Sequence, residues 1–160
     1  MPDQDLINRI RTIFLHQRPH VTLAEATVLL GWSRGEMSRA IAAGEVEVTS
    51  TAVGKWLWRE ELMAKALELW SPEVIEEALG AEAEGVLPEA VRLIDLHVRL
   101  PRHQVAMLEV FAEREQTSVS SVLARELDGL ASAHADDLSW AVIGFADALA
   151  WPEGAAGAAN

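Results

Sequence analysis

The stretch TLAEATVLLGWSRGEMSRAIAAG, residues 22–44, decides the fold because it carries the same pair of helix start and end signals twice. A hydroxyl residue is followed three positions later by a glutamate, and then by a closing glycine, in two sets: Thr22, Glu25 and Gly31, then Ser33, Glu36 and Gly44. The first two residues of each set are typical of a capping box, in which each side chain accepts a hydrogen bond from a backbone N–H at the helix start. The glycine then ends the helix in the left-handed conformation. Two short helices joined by a tight turn predict a helix-turn-helix.

The second helix of this pair is predicted to have an apolar face and a polar face. The apolar residues of the two helices would pack together, Met37, Ala40 and Ile41 with Ala26, Leu29 and Leu30. The opposite face presents Ser38 and Arg39, with Arg34 at its N-terminal edge. Small residues let a helix approach a DNA groove closely, and an arginine can donate to guanine or to phosphate. The pattern also fits a solvated helix of a small bundle, and both interpretations stay open at this point.

The next segment, VEVTSTAVGKWLW at residues 46–58, alternates apolar side chains around a polar turn and predicts a β-hairpin. Helical spacing resumes in REELMAKALELW at residues 59–70, which completes the order of a winged helix. The residues that fit a common pattern are Thr22, Glu25, Ala26, Leu29, Leu30, Gly31, Ser33, Arg34, Gly44, Gly54, Lys55, Trp56, Arg59, Glu60, Glu61 and Leu62. On these residues the segment of about 20–65 resembles the winged helix-turn-helix DNA-binding domains of the excisionase and MerR type. The resemblance implies that Arg34, Ser38 and Arg39 face the major groove and that Lys55, at the wing tip, contacts the DNA backbone.

A second segment, residues 95–131, begins with a short alternation. Leu96, Val98 and Leu100 fall on one side of it, and Asp95, His97 and Arg99 fall on the other. Pro101 suits the first turn of a helix, and Ser118 suits the cap of a second helix. A single strand cannot satisfy its own backbone groups, so the strand requires a partner. The economical partner is a second copy of the chain.

The segment of about 94–131 resembles the ribbon-helix-helix repressors of the Arc and MetJ kind through its strand, its proline and its TSVSS turn. The resemblance implies that two strands form a ribbon in the major groove, with Asp95, His97 and Arg99 reading bases. It also implies that backbone N–H groups near Ser118 and Val119 hold a phosphate. The implied dimer interface comprises Leu96, Val98, Leu100, Leu108, Phe111, Val122 and Leu123. A ribbon-helix-helix that serves only to dimerise is the alternative.

The chain of 160 residues has a net charge of −12, but the acidic residues are unevenly placed. Residues 1–65 carry eight basic and eight acidic side chains, and residues 96–131 carry four and five. Residues 66–95 carry one and eight, and residues 132–160 carry none and four. The excess of acidic charge therefore lies outside the two segments predicted to bind DNA.

Several classes of protein are disfavoured by what the sequence lacks. The absence of cysteine excludes disulfides, thiol nucleophiles and thiolate metal sites. The sequence shows no signal peptide and no apolar block long enough for a bilayer, so we expect a cytoplasmic protein without membrane contact. It also shows no phosphate loop or nucleophile elbow, and no third ligand accompanies His97 and His103. We therefore expect a protein that is not an enzyme and has no cofactor or metal.

We predict a mainly α fold, a winged helix-turn-helix plus a ribbon-helix-helix, with one short β-hairpin and one short intermolecular strand. The predicted parts are a helix plus winged helix-turn-helix domain (1–70), an acidic connector with a short helix (71–94), a ribbon-helix-helix dimerisation domain with a C-terminal helix (95–151) and a disordered tail (152–160). The long apolar helix expected within the third part, Leu138 to Trp151, would cover that domain, and the alternative is that it forms a surface for another protein.

The predicted function is that of a sequence-specific DNA-binding transcriptional regulator, repressor-like or antitoxin-like, acting as a homodimer on a palindromic site. Its predicted partners are double-stranded DNA and a second copy of itself. The alternative is an acidic interaction module that binds a toxin or another basic protein through its connector, or acts as an anti-repressor, without binding DNA. Exposure of Arg34, Arg39 and Arg99 would favour the first function, and burial of Arg99 against Asp95 or Glu126 would favour the second.

Overall fold

The computed structural model describes residues 2–152, which form two compact units, one of residues 2–93 and 147–152 and one of residues 94–146. The elements in chain order are α1 (Gln4–Leu15), β1 (His20–Thr22), α2 (Leu23–Leu30), α3 (Arg34–Ala43), β2 (Thr49–Thr51), β3 (Gly54–Trp58), α4 (Arg59–Leu69), α5 (Pro72–Leu79), α6 (Ala83–Val86), α7 (Arg102–Glu115), α8 (Val119–Ala133), α9 (Ala135–Ala141) and α10 (Phe145–Ala150). Short 3-10 turns lie at Gly80–Glu82 and Glu89–Val91. The predicted mainly helical class is confirmed.

Both predicted capping boxes are present. The backbone N–H of Thr22 donates to Glu25 Oε2 at 2.9 Å, and the backbone N–H of Glu25 donates to Thr22 Oγ1 at 3.2 Å. The box of Ser33 and Glu36 has the same two bonds, at 2.6 and 3.2 Å. The glycines that close α2 and α3 are left-handed, with φ of 72° and 74°. The predicted start and end signals of both helices are confirmed.

The three strands form one antiparallel sheet in the order β1-β3-β2. The predicted hairpin is present as β2 and β3, although β2 begins only at Thr49 because Val46 is buried in the core instead of continuing the strand. The strand β1 was not predicted, since three residues after a proline give no alternation to detect. Its His20 pairs with Trp58 and places its ring edge-on to Trp56, with ring centroids 4.9 Å apart.

The core of the first unit is built around α1, whose Ile10, Ile13 and Phe14 are completely or almost completely buried. The helices α2, α3 and α4 contribute further apolar side chains to the same cluster, among them Ala26, Leu30, Met37, Ala40, Leu62 and Ala66. The predicted packing of α2 on α3 agrees with this cluster, in which Leu29 and Ile41 are partly buried.

No helix within residues 2–152 combines the length and apolar character that a bilayer crossing requires.

The segment predicted as an acidic connector, residues 71–94, belongs to the first unit up to residue 93. The apolar face of α5 packs on α1 through Ile75 and Leu79, both of which are buried. The guanidinium of Arg11 donates to the carbonyls of Ala78 and Leu79 at 3.3 and 3.2 Å. The connector prediction was therefore wrong, because the glutamates occupy the outer side of a helix that the α1 core needs as cover.

The long C-terminal helix predicted from Leu138 to Trp151 is divided into α9 and α10. Gly144, with a φ of 77°, interrupts it. Residues 147–152 belong to the first unit, where the ring of Trp151 stacks on that of Phe14 with centroids 6.2 Å apart. The prediction that this helix covers the second domain was thus wrong for its last turn. Pro152 is buried, and the rest of the predicted tail, residues 153–160, lies outside the described residues.

The second unit is built mainly from α7 and α8. Ser118 caps α8 as predicted, since its Oγ accepts from the backbone N–H of Ser121 at 3.0 Å. Within residues 94–146 the buried cluster consists of Leu108, Ala112 and Val122. Residues 93–100 form neither helix nor strand here, and their predicted pairing with a second copy stays a prediction.

Candidate nucleic-acid interface

The helix α3 is held to the first unit by one face and exposes the other. Met37 and Ala40 are only 2% and 5% exposed and anchor the inner face in the core. The predicted DNA-facing residues, Arg34, Ser38 and Arg39, are all exposed. The structure therefore brings these three predicted residues together on the solvent side of a fixed helix.

The capping box fixes where α3 begins and also places a negative charge there. The pKa of Glu36 is lowered, mainly because the backbone N–H of Ser33 donates to its carboxylate, with a smaller contribution from the charge of Arg39. Glu36 is consequently ionised at neutral pH, near the predicted reading face. This carboxylate reduces the local positive potential and would have to be outweighed by the arginines for the face to attract phosphate.

Several arginines of the first unit are occupied in holding the fold. The guanidinium of Arg9 lies over the ring of Trp70, 5.7 Å from its centroid. Arg11 forms a bidentate pair with Glu82 in addition to its two carbonyl bonds. Arg59 donates to the carbonyls of Ile13 and Phe14, and its partial burial lowers its pKa. These cations stabilise the ends of α1, α2 and α5 and are poorly placed to bind phosphate.

The cations of α3 and of the wing that are predicted to contact DNA keep hydrogen-bond donors that the fold does not use. Within residues 2–152, the side chains of Arg34 and Lys55 have no hydrogen bond and no ion pair. Arg39 donates from Nε to the carbonyl of Gly35 at 3.4 Å, inside its own helix, so its terminal nitrogens stay available. Arg18 is likewise exposed. It was not predicted as a candidate site residue, because it lies in the irregular link between α1 and β1 and belongs to no recognisable sequence pattern.

Lys55 stands at the tip of a hairpin that is fixed by local hydrogen bonds. The hydroxyl of Thr51 donates to the carbonyl of Gly54 at 3.2 Å and accepts from the indole N–H of Trp56 at 3.2 Å. The cross-strand neighbour of Lys55 is Ser50, so no like charge or counter-ion faces it across the hairpin. The wing thus presents the ammonium group of Lys55 on β3, next to a turn held by hydrogen bonds.

The predicted readers of the second unit are also exposed. Asp95, His97 and Arg99 are solvent-exposed, and Arg99 forms no pair with Asp95 or Glu126. The carboxylate of Glu126 is engaged instead by Arg125, 3.7 Å away, which also binds Glu115. The burial of Arg99 that would have favoured a protein without DNA binding is therefore not seen. Ser118 and Val119, predicted to lie at a phosphate site, are both exposed at the start of α8.

The predicted dimer-interface residues divide into buried and exposed groups. Leu108 and Val122 belong to the small buried cluster, and Leu123 is partly buried. Leu96, Val98, Leu100 and Phe111 are 76%, 54%, 40% and 41% exposed. The apolar side of the predicted strand is therefore solvent-exposed in the single chain.

No group of three or more metal-ligating His, Asp or Glu side chains occurs in the part of the chain that the structure describes.

Comparisons of the chain with protein-family models, with curated proteins and with solved structures found no match. Function is therefore inferred from the site itself.

Proposed function

We propose that this protein is a sequence-specific DNA-binding transcriptional regulator that acts as a homodimer on a palindromic site. The observation that carries the proposal is the division of the cations of the first unit. Arg9, Arg11 and Arg59 are bound to the fold. Arg34 and Lys55 have no side-chain bond among residues 2–152, and Arg39 donates only to Gly35 of its own helix. A side chain without an internal partner keeps its donors for a ligand, and an arginine on a rigid helix can read guanine with two donors.

The shape of α3 supports its role as the reading helix. Among the described residues, a Cβ placed on Gly35 would have only Ser33 Oγ within 4 Å, at 3.8 Å, so that part of the helix surface is open. Ser38 is small and exposed, which lets the backbone approach a groove without steric conflict. The capping box holds the N-terminal end, where recognition helices contact base edges.

Dimerisation through the second unit is proposed because that unit buries too little by itself. A single domain of about 60 residues is already only marginally stable, and the unit of residues 94–146 is smaller than that. Its buried cluster consists of three residues. The row Leu96, Val98 and Leu100 is exposed and alternates in the way that an antiparallel strand pair requires. A second copy offers the same row with the correct chemistry and satisfies the backbone of both strands.

Two modules on one chain compensate for the modest charge of each. Once one module is bound, contact by the other becomes intramolecular, so overall avidity exceeds that of either. A symmetric dimer repeats both contacts, which predicts an inverted repeat.

The alternative function, an acidic interaction module, is favoured by the seven acidic and one basic side chains of residues 66–93. Part of that charge is already used inside the fold. Glu82 binds Arg11, and Glu76 accepts from the backbone N–H of Leu93 at 3.1 Å. The exposed Glu77, Glu84 and Glu89 would serve a basic partner in place of DNA.

The test is a selection of bound duplexes from a random pool at about 50 mM salt, where electrostatic binding is strong. The wild-type protein is run beside Arg34→Ala/Arg39→Ala, and beside Arg125→Ala/Arg114→Ala, which removes the same charge from the second unit. Enrichment of an inverted repeat by the wild type and by the second-unit variant, and loss of enrichment by the α3 variant, is the expected result. A pool that stays random with the wild type contradicts the proposal and favours the acidic module.

A further inference from the structure

A cleft of about 420 Å³ opens on the first unit where α1, α2 and the start of α4 meet. Its lining residues are Thr12, Ile13, His16, Arg18, Val21, Ala24, Glu25, Val28, Leu29, Arg59 and Leu62. None of these was predicted from the sequence to contact DNA or to form the dimer interface. The volume lies within the range of about 300–1,000 Å³ that is usual for small-molecule sites.

The walls of the cleft are mostly apolar. Ile13 and Leu62 form the buried floor, each about 1% exposed, and Val21 is 8% exposed. At the edge, Val28 is 69% exposed although it stands on α2 beside the core. The hydroxyl of Thr12 donates its one hydrogen to the carbonyl of Asn8 at 2.8 Å, so it has no donor left for a ligand. The wall therefore suits an apolar body.

The charged residues of the cleft are unusual for so acidic a protein. Arg18 has no side-chain hydrogen bond or ion pair within residues 2–152, and Arg59 uses part of its guanidinium on two α1 carbonyls. Among the described residues, the lining has one carboxylate, that of Glu25, which is held by the backbone N–H and the hydroxyl of Thr22 at 2.9 Å each. Two arginines face one glutamate, so the cleft carries positive charge in a chain of net charge −12.

We propose that this cleft binds a small amphipathic monocarboxylate, with its hydrocarbon part against Val21, Val28 and Leu29 and its carboxylate on the guanidinium of Arg18. A planar guanidinium without a hydrogen-bonded partner is well suited to a carboxylate, which it can bind through two parallel bonds. The partly enclosed apolar wall favours a hydrocarbon chain over a polar solute. The inference does not rest on the proposed function, because ligand binding is measured on the protein without DNA.

The first experiment titrates the full-length protein with octanoate by calorimetry and repeats the titration with 1-octanol, which keeps the hydrocarbon chain and lacks the charge. Octanoate is expected to bind with one site per chain and at least about tenfold more tightly than octanol, the ratio expected for one charge-assisted bond. Absence of octanoate binding overturns the proposal. Equal binding of octanol overturns the assignment of a carboxylate ligand.

The second experiment places the site. Ala24→Trp and Val28→Trp fill the cleft from two positions of α2, and each is expected to weaken octanoate binding at least about tenfold, because a bulky ring takes the ligand's volume. Arg18→Gln is expected to reduce the preference for octanoate over octanol by about tenfold. Ala106→Trp, at an exposed alanine of α7, is the control and keeps wild-type binding. Wild-type affinity in both cleft-filling variants, with circular dichroism showing folded protein, contradicts the site.

Discussion

The guanidinium of Arg9 fills the space into which a side chain at position 31 would point. A Cβ built on Gly31 would overlap the Arg9 guanidinium, and the same group lies over the ring of Trp70. Gly31 also has a φ of 72°, the left-handed conformation that ends α2. Position 31 therefore favours glycine through its left-handed backbone, and a side chain there would also displace the guanidinium of Arg9.

We predict that Gly31→Ala destabilises the protein more than Gly44→Ala does. Both alanines must adopt a left-handed conformation, at a cost of about 1–2 kcal/mol in the free energy of unfolding. A side chain at position 44 meets nothing within 4 Å among the described residues, whereas one at position 31 displaces Arg9. Loss of the Arg9–Trp70 contact adds about 0.5–1 kcal/mol. Urea unfolding of the two variants measures the difference.

The Arg9→Ala background separates the two causes. In that background the arginine no longer occupies the space beside position 31, so Gly31→Ala and Gly44→Ala are expected to cost the same. A difference that persists without the arginine would show that Arg9 is not the reason.

Acid is predicted to weaken the start of α3 through Glu36. Its folded-state pKa is lowered from the ordinary value of 4.5, chiefly by the bond from the Ser33 backbone N–H. The carboxylate therefore stabilises the folded state above that ordinary value, and the contribution is lost as the pH falls through the lowered pKa. Glu36→Gln keeps a capping oxygen and removes the titration.

Urea unfolding at about pH 7 and about pH 3.5 tests this prediction. The loss of stability between the two is expected to be smaller for Glu36→Gln than for the wild type. The control is Glu77→Gln, an exposed glutamate of α5 with no side-chain bond among residues 2–152, and it is expected to follow the wild type. Equal pH dependence in Glu36→Gln and Glu77→Gln would contradict the assignment.

The helix start signals of the first unit could be predicted from the sequence because they are formed by residues a few positions apart. Thr22 reaches Glu25, and Ser33 reaches Glu36, without help from the rest of the chain. The packing of α5 on α1 could not be predicted in this way. Its glutamates suggested a solvated connector, whereas Ile75 and Leu79 contact a helix that is far away in the sequence. Trp151 escaped prediction for the same reason, since its partner Phe14 stands near the other end of the chain.

The candidate site shows the same division. Arg34 and Arg39 could be placed on the outer face of α3 because helical spacing alone fixes which face is apolar. Helical spacing does not show which arginines become bound to backbone. Arg59 fits the winged-helix pattern, yet it closes the C-terminal end of α1, and this depends on the tertiary fold.

Dimerisation is predicted to depend on Leu96. In the proposed ribbon its side chain is covered by a second copy, so Leu96→Glu buries a charge in an apolar contact and is expected to raise the dissociation constant of the dimer by about a hundredfold or more. Sedimentation equilibrium measures the change. Val53→Glu, the same kind of substitution at a wing residue that is 87% exposed, is the matched control and stays dimeric. A wild-type protein that sediments as a monomer at all concentrations would exclude the ribbon.

Arg39 and Lys55 are predicted to affect DNA binding differently. Arg39→Ala should cost about 1–3 kcal/mol on the selected site and relax the preference at one base pair, because a base contact is lost. Lys55→Ala should weaken binding evenly across sequences and reduce the salt slope by about one, because a phosphate contact is lost. Fluorescence anisotropy on the selected duplex and its single-base variants distinguishes them. Identical losses on every sequence for both variants would refute this division.

The most direct test of sequence-specific binding is the ratio of two affinities of the wild-type protein at about 150 mM salt, one for the selected inverted repeat and one for a duplex of the same length with that repeat scrambled. We predict that the repeat is bound at least about a thousandfold more tightly, with two chains per duplex. Equal affinities would contradict sequence-specific DNA binding and leave the arginines of α3 as the exposed face of a well-capped helix.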